Sequence, residues 1–154
     1  KKGKLPWDLK KDLKFFQKAT LKTDSGAKMN MMIMGRKTWE SIPEEHRPLK
    51  GRFNVVLTRN KDYKAPGAAI FNSLEKAMAR ADETIEKIFV IGGGKVFKEA
   101  IKKKEVKGIY LTRIHKKFDC DTTFPNIPKK FKKTKVLGTQ EENGIKFEFL
   151  YFYK

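Results

Sequence analysis

A strand that runs directly into three glycines and then into a helix constrains the fold of this chain more than any other feature. Residues 88–91 form the apolar run Ile-Phe-Val-Ile, which is typical of a buried strand. Residues 92–94 are all glycine, and residues 95–101 have helical spacing with an apolar face. Glycine lets the backbone approach a ligand closely, and the N–H groups at a helix start suit phosphate. The pattern fits a phosphate site or a tight turn without a ligand; it is neither a Gly-x-Gly-x-x-Gly motif nor a P-loop.

The chain contains a second turn of the same design. Residues 30–34 are typical of another buried strand, Gly35 ends it, and a helical stretch then begins with the basic pair Arg36-Lys37. Two such turns at the carboxyl ends of neighbouring strands would suit a dinucleotide, whose phosphates are spread apart. The two turns together are therefore a stronger indication of a nucleotide site than either turn alone.

An acidic residue lies at the edge of an apolar helix face near the start of the chain. Asp8 is a good N-cap, and the residues after it have a helical period that places Leu9, Leu13 and Phe16 on one face. Asp12 falls at the border of this face. A carboxylate beside an apolar pocket is costly without a partner. Asp12 is therefore either a ligand-binding carboxylate or an edge aspartate that reaches water or a lysine.

The order of the remaining elements predicts the fold class. Apolar runs predict further strands at residues 53–57, 68–71, 106–114, 132–138 and 145–153. A helix capped by Asn72 or Ser73 precedes the triple-glycine unit, and Asn143-Gly144 predicts a tight turn between the last two strands. We expect an α/β fold in a single domain over residues 1–154, with a central, mostly parallel sheet, helices on both faces and an antiparallel C-terminal hairpin.

Composition excludes some classes of function and leaves one alternative open. The 154 residues include 36 Lys and Arg against 18 Asp and Glu, a formal net charge of +18. This charge keeps a basic nucleic-acid-binding protein as an alternative, although the lysines are scattered along the chain, as on a solvated surface. Two histidines and one cysteine, Cys120, cannot form a zinc-type cluster, so no metal is expected. The lone cysteine and the lack of a long apolar run predict a cytoplasmic protein without a membrane partner.

Taken in order, these motifs resemble the dihydrofolate reductase family over essentially the whole chain. Asp12 followed by Phe15-Phe16 belongs to the match. The other matching segments are residues 5–7 (Leu-Pro-Trp), 34–39 (Met-Gly-Arg-Lys-Thr-Trp), 47–52 (Arg-Pro-Leu-Lys-Gly-Arg), 91–94 (Ile-Gly-Gly-Gly), 110–112 (Tyr-Leu-Thr) and 121–125 (Asp-Thr-Thr-Phe-Pro). The resemblance implies NADPH-dependent reduction of 7,8-dihydrofolate to tetrahydrofolate in one-carbon metabolism, and a target for antifolates.

The resemblance also implies a substrate site. Asp12 would bind the pterin amino group and ring nitrogen, Thr112 would steady Asp12, and Trp7 would position a water beside it. Arg52 would bind the α-carboxylate of the glutamate tail as a bidentate pair. The implied catalytic residues are Asp12, Trp7 and Thr112, and the implied substrate-binding residues are Leu5, Asp12, Leu13, Phe16, Ile42, Leu49, Arg52, Ile91 and Thr112. Hydride transfer needs two rings held face to face with water excluded, and no side-chain nucleophile.

The cofactor site implied by the resemblance combines both glycine turns. Arg36, Thr58 and Arg59 would bracket the adenosine 2′-phosphate, which favours NADPH over NADH, and a cis peptide would join Gly92 to Gly93. The implied cofactor-binding residues are Gly35, Arg36, Lys37, Thr38, Leu57, Thr58, Arg59, Ile91, Gly92, Gly93, Gly94, Lys95 and Val96.

The chain departs from the family pattern at its beginning. Family members have a strand before the Leu-Pro-Trp segment, in the middle of the sheet, whereas this chain starts at Lys1. The N-terminal strand is therefore expected to be missing, either because the sequence is a fragment or because the protein is a variant with a gap in its sheet. We expect a monomer, or one domain of a fusion with another folate enzyme. Besides nucleic-acid binding, a reductase of a related pterin or pyrimidine intermediate on the same fold is the alternative function.

Overall fold

A computed structural model describes residues 9–115 and 126–154 of the chain. Leu5, Trp7, Cys120 and the segment 121–125 lie outside the described residues. The helices are α1 (Lys10–Leu21), α2 (Arg36–Ser41), α3 (Leu74–Ala79) and α4 (Gly94–Ile101), with a short 3₁₀ turn at Glu44–His46. The strands are β1 (Met29–Gly35), β2 (Phe53–Leu57), β3 (Ala69–Phe71), β4 (Ile85–Val90), β5 (Gly108–Ile114), β6 (Lys133–Glu142) and β7 (Ile145–Tyr153).

Four strands form a parallel sheet in the order β3-β2-β1-β4. Successive residues of a strand point to opposite faces, and each face has its own apolar cluster. Met31 and Ile33 of β1 pack with Leu74 of α3 and Ala100 of α4 on one face. Met32, Met34 and Val56 pack with Trp39 of α2 on the other, and Phe16 of α1 joins them. Helices on both faces of a parallel sheet confirm the predicted α/β class.

The C-terminal part is a three-stranded antiparallel sheet in the order β5-β7-β6, and the predicted antiparallel hairpin, formed by β6 and β7, is confirmed. The strand β5 joins it because β5 pairs with β7 along its whole length, from Gly108 opposite Tyr153 to Ile114 opposite Phe147. The predicted turn at Asn143 and Gly144 is confirmed. These residues have φ values of 54° and 75°, as a two-residue type I′ turn requires.

The strand β4 is less buried than its apolar sequence predicts. It pairs with β1, and on its other side no strand of the described segments pairs with it, so that Ile88 is 37% exposed. Among the same segments, β5 likewise pairs only with β7. A ring contact links the two edges, since the centroids of Phe89 and Tyr110 lie 6.1 Å apart. The two strands do not pair with each other.

The helix α1 begins differently from the prediction. Leu9, and not Asp8, is the N-cap residue, and the side chain of Leu9 cannot accept a hydrogen bond from the helix. The carboxylate of Glu142, at the end of β6, accepts hydrogen bonds of 2.8 Å from the backbone N–H groups of both Lys10 and Lys11. The predicted apolar face is also incomplete, because Leu9 is buried against β7 whereas Leu13 is 53% exposed.

Candidate active site

The helix α1 and the strand β5 bring Asp12 and Thr112 together. The Thr112 hydroxyl donates a hydrogen bond of 2.7 Å from Oγ1 to Asp12 Oδ1, and both side chains are partly buried. An ionised carboxylate can only accept hydrogen bonds, so the hydroxyl proton must point at Asp12. The other carboxylate oxygen, Oδ2, remains able to accept from a ligand.

Aromatic packing holds this part of α1 on the antiparallel sheet. Phe15 stacks on Phe149 of β7, with ring centroids 4.0 Å apart and an interplanar angle of 6°. Leu9 is buried in the same cluster with Phe147. Residues three and four apart share a helix face, so these contacts and Asp12 all lie on the side of α1 that faces the sheet.

Four of the residues expected to bind substrate share one apolar wall with the parallel sheet. The shared cluster contains Met32 and Met34 of β1 and Trp39 of α2. The expected substrate residues that pack against it are Phe16, Ile42, Leu49 and Ile91. Phe16 lies one helical turn beyond Asp12. Asp12 therefore lies one turn from the apolar wall, and its role as a ligand-binding carboxylate stays a prediction.

Arg52 is held in place by two hydrogen bonds near the end of α1. Its Nη1 donates to the hydroxyl of Thr20 at 2.8 Å, and its Nε donates to the carbonyl of Lys50 at 3.0 Å. Thr20 is buried and donates its own proton to the Phe16 carbonyl at 2.7 Å. Burial lowers the pKa of Arg52 below its usual value, but an arginine stays charged in proteins. The guanidinium is thus a fixed cation with N–H groups left to bind an anion.

The two glycine turns meet, which confirms the predicted convergence. The backbone N–H of Gly35 donates to the carbonyl of Gly92 at 2.8 Å, and the peptide between Gly92 and Gly93 is cis, as the resemblance implied. A Cβ on Gly92, whose φ is +127°, would lie 3.3 Å from Thr38 Oγ1. A Cβ on Gly35 would lie 3.5 Å from a methyl carbon of Val96. A side chain is therefore disfavoured at Gly92, by its positive φ and by the tight contact with Thr38, whereas a Cβ on Gly35 would make only an ordinary contact.

Some polar residues of the expected cofactor site already have hydrogen-bond partners in the protein, and others are exposed. Arg36 pairs with Glu40 at 3.0 Å, and the hydroxyl of Tyr63 donates to the same carboxylate at 2.8 Å. Thr58 Oγ1 accepts from the N–H of Asn60 at 3.1 Å. The basic residues with exposed side chains are Lys37, Arg59 and Lys95. Leu57 packs in the cluster on the sheet face opposite that of Ile91, and Gly94 is the first residue of α4.

Three residues of the site were not found from the sequence. Thr20 holds Arg52, and Met32 and Met34 form the apolar wall. The alternation of β1 could have assigned both methionines to one sheet face, because residues two apart point the same way. Nothing local marks Thr20, because its partner Arg52 lies 32 residues away in the chain.

Residues 9–115 and 126–154 contain neither a cluster of metal ligands nor a membrane-spanning helix. In these ranges, three or more His, Cys, Asp or Glu side chains do not come close enough to hold a metal ion. No helix within them has the length and apolar character to span a membrane.

The chain is similar to known proteins over nearly its whole length. A sequence model described as dihydrofolate reductase matches residues 1–154. The dihydrofolate reductase of Drosophila melanogaster is 41% identical over 157 residues, covering 96% of this chain and 86% of the fly protein. The bifunctional dihydrofolate reductase-thymidylate synthase of Glycine max is 43% identical over 158 residues, covering 97% of this chain and 30% of the soybean protein.

A solved structure is similar as well. The dihydrofolate reductase of Schistosoma mansoni superposes with a TM-score of 0.82 at 35% sequence identity, covering 97% of this chain and 87% of that one. The fold, the site and these similarities define an oxidoreductase. More particularly, the chain belongs to the dihydrofolate reductase family. It spans most of the stand-alone fly relative and less than a third of the bifunctional soybean one.

Proposed function

We propose that this chain reduces 7,8-dihydrofolate to 5,6,7,8-tetrahydrofolate with NADPH as the hydride donor. The observation that carries the proposal is the hydrogen-bonded pair of Asp12 and Thr112 at the border of an apolar wall. Family membership and the converging glycine turns support it independently.

Asp12 has the chemistry to recognise one edge of a pterin. Two adjacent N–H donors, such as the 2-amino group and a ring nitrogen, match the two oxygens of a carboxylate. The bond from Thr112 fixes the carboxylate plane, so this recognition is oriented before the ligand arrives. A carboxylate hydrogen-bonded to the ring stabilises positive charge that develops when N5 takes up a proton.

The apolar wall and Arg52 would bind the rest of the substrate. Phe16, Ile42 and Leu49 present apolar surface to the pterin and benzoyl rings and exclude water from them. Arg52 is anchored by Thr20 and the Lys50 carbonyl and would accept the α-carboxylate of the glutamate tail. Trp7 and Leu5, which the resemblance adds to the site, remain part of the proposal.

A nicotinamide cofactor fits the groove between the glycine turns. The backbones of Gly35 and Gly92 are hydrogen-bonded to each other, and Gly92 has a positive φ that favours glycine, so the turns present backbone without side chains to a ligand. Lys37, Lys95 and Arg59 supply exposed positive charge for phosphates, and Arg36 would exchange Glu40 for the 2′-phosphate of NADPH. The bound cofactor supplies the hydride, and the residues of the groove orient it.

The first test follows NADPH oxidation on addition of dihydrofolate. Replacing Asp12 with asparagine keeps the size of the side chain but removes the charge, so we expect kcat/KM at neutral pH to fall about 100-fold or more, in line with the loss of one electrostatic contact to the transition state. Asp62→Asn is the matched control because Asp62 is an exposed loop residue. If Asp12→Asn turns over dihydrofolate as fast as the control, Asp12 does not have the proposed role. If the wild type does not oxidise NADPH with dihydrofolate, the proposed function is wrong.

The wider setting of the enzyme is also a proposal. We infer that residues 1–154 form one domain, which works as a monomer or as part of a fusion with another folate enzyme. Its relatives include a stand-alone dihydrofolate reductase and a bifunctional dihydrofolate reductase-thymidylate synthase. A cytoplasmic location is supported by the single cysteine of the sequence.

A further inference from the structure

The start of α1 obtains its cap from a distant part of the chain. The first N–H groups of a helix have no partner within the helix and need an acceptor. The N-cap residue Leu9 cannot supply one, and Glu142 accepts from Lys10 with Oε2 and from Lys11 with Oε1, both at 2.8 Å. A third hydrogen bond joins the same two segments: Lys11 Nζ donates to the carbonyl of Glu141 at 3.1 Å.

The residue that follows these two N–H groups is Asp12. Its carboxylate is bonded to Thr112, and Thr112 belongs to the same antiparallel sheet as Glu142, since β5 and β6 both pair with β7. One sheet therefore holds three consecutive residues of one helical turn: Lys10 and Lys11 by their backbone and Asp12 by its side chain.

We propose that Glu142 is a positioning residue for dihydrofolate reduction, which fixes the first turn of α1 so that the Asp12 carboxylate meets both Thr112 and the pterin. The inference rests on the proposed function, because it assigns Glu142 a role in the reaction through Asp12. The contacts of Glu142 are with the backbone of α1, so it would act only through Asp12.

The charge of Glu142 suits this role. The backbone N–H groups of Lys11 and Lys10 hold the pKa of the Glu142 carboxyl below its usual value, so it is ionised at neutral pH. A negative charge at the N-terminus of a helix is also favoured by the helix dipole. The contact is thus charge-assisted and stronger than a cap by a neutral side chain. Because it consists of two hydrogen bonds, it fixes the orientation of the helix start as well as its distance from β6.

The test compares Glu142→Ala and Glu142→Gln with the matched controls Glu141→Ala and Glu141→Gln. Small displacements of a catalytic group cost large factors in rate, so we expect Glu142→Ala to lower kcat/KM for dihydrofolate about tenfold while the Kd for NADPH is unchanged. Glu142→Gln keeps one acceptor oxygen, and its loss should be smaller. Both Glu141 variants keep the backbone carbonyl that Lys11 uses, and their kinetics should match the wild type.

A double-mutant cycle separates positioning from stability. In an Asp12→Asn background, Glu142→Ala should cause less than about a twofold further loss, because the group it positions is already gone. An equal loss in both backgrounds, or a lower melting temperature with unchanged kcat/KM well below it, would overturn the proposal. If Glu142→Ala does not fold, Glu142→Gln carries the same comparison.

An NMR measurement distinguishes this proposal from the function on which it rests. The carboxyl carbon resonance of Asp12 should move in Glu142→Ala and stay in place in Glu141→Ala, whatever the activity. A shift in a protein that does not reduce dihydrofolate would refute the function and keep only the link by which Glu142 orients Asp12. An unmoved resonance in an active enzyme would refute the positioning role alone.

Discussion

Asn30 shows how one buried polar residue ties α1 to two strands of the parallel sheet. Its side chain is fully buried, and its Nδ2 donates to the carbonyls of Thr20 and Lys22 at 2.8 and 2.9 Å. Its Oδ1 accepts from the backbone N–H of Lys87 at 3.1 Å. The side chain thereby satisfies carbonyls at the end of α1, which a helix leaves without partners, and ties α1 to β1 and β4.

The same end of α1 orients the guanidinium of Arg52 through Thr20. Two of its N–H groups are used by Thr20 and the Lys50 carbonyl, and the planar guanidinium still has others for a carboxylate. A lysine cannot make these contacts at once, because its ammonium is a single point of charge. We therefore expect Arg52→Lys to raise the KM for dihydrofolate about tenfold or more, as for loss of a charged hydrogen bond, with the KM for NADPH unchanged.

Steady-state kinetics with each substrate varied in turn checks this expectation. Arg80→Lys is the control, because Arg80 is an exposed arginine that follows α3 on the opposite face of the parallel sheet. Equal KM values for dihydrofolate in the two variants would show that Arg52 does not bind the substrate.

At the scale of elements, two helices contrast in how their starts are satisfied. The helix α3 has a local cap, since Ser73 Oγ accepts from the N–H of Lys76 at 3.1 Å, and the sequence narrowed this cap to Asn72 or Ser73. The helix α1 has a distant one, Glu142, where the sequence predicted Asp8. A local cap is visible in the sequence because its partners lie three residues apart. A cap from another strand depends on the tertiary fold, and no local pattern records it.

The strands show the same limit. Apolar runs predicted the position of β2 and the two strands of the hairpin, because burial and alternation are local properties. The exposure of Ile88 on β4 and the pairing of β5 with β7 depend on which strands become neighbours. The convergence of Gly35 and Gly92 could be predicted, since parallel strands place their carboxyl ends on one edge. The contact between Thr112 and Asp12 was expected only from the family resemblance.

Glu86 anchors the loop between α1 and β1 and predicts a pH dependence of stability. Its carboxylate accepts from the backbone N–H groups of Asp24 and Ser25, and these bonds, that of Asp24 first, hold its pKa below the usual value. A lowered folded-state pKa stabilises the fold above the unfolded-state pKa, and the stabilisation is lost as the pH falls through the folded value. We expect Glu86→Gln to flatten the fall in melting temperature between about pH 5 and pH 3.

Thermal unfolding at several pH values measures this effect. Glu83→Gln is the control, because Glu83 is exposed in the turn before β4. If the slope of melting temperature against pH is unchanged in Glu86→Gln, the pKa of Glu86 is the same in the folded and unfolded chain.

At the scale of the whole molecule, the earliest described helix depends on one of the last strands. The capping contacts of α1 join residues that are 131 and 132 positions apart. Contacts of such separation form late, because the intervening chain must first be brought together. Pulse-labelling hydrogen exchange during refolding should therefore show the amides of Lys10 and Lys11 becoming protected together with those of β6 and β7. Earlier protection would show that the turn forms without its cap.

The same separation has a consequence for synthesis on the ribosome. While the nascent chain still lacks residue 142, the carboxylate that completes the first turn of α1 does not yet exist. The four strands of the parallel sheet, β1 to β4, are all made before residue 142. The helix that carries Asp12 acquires its final geometry only after residue 142 has been made, so a chain that stops short of it would lack the alignment proposed for the Asp12 carboxylate.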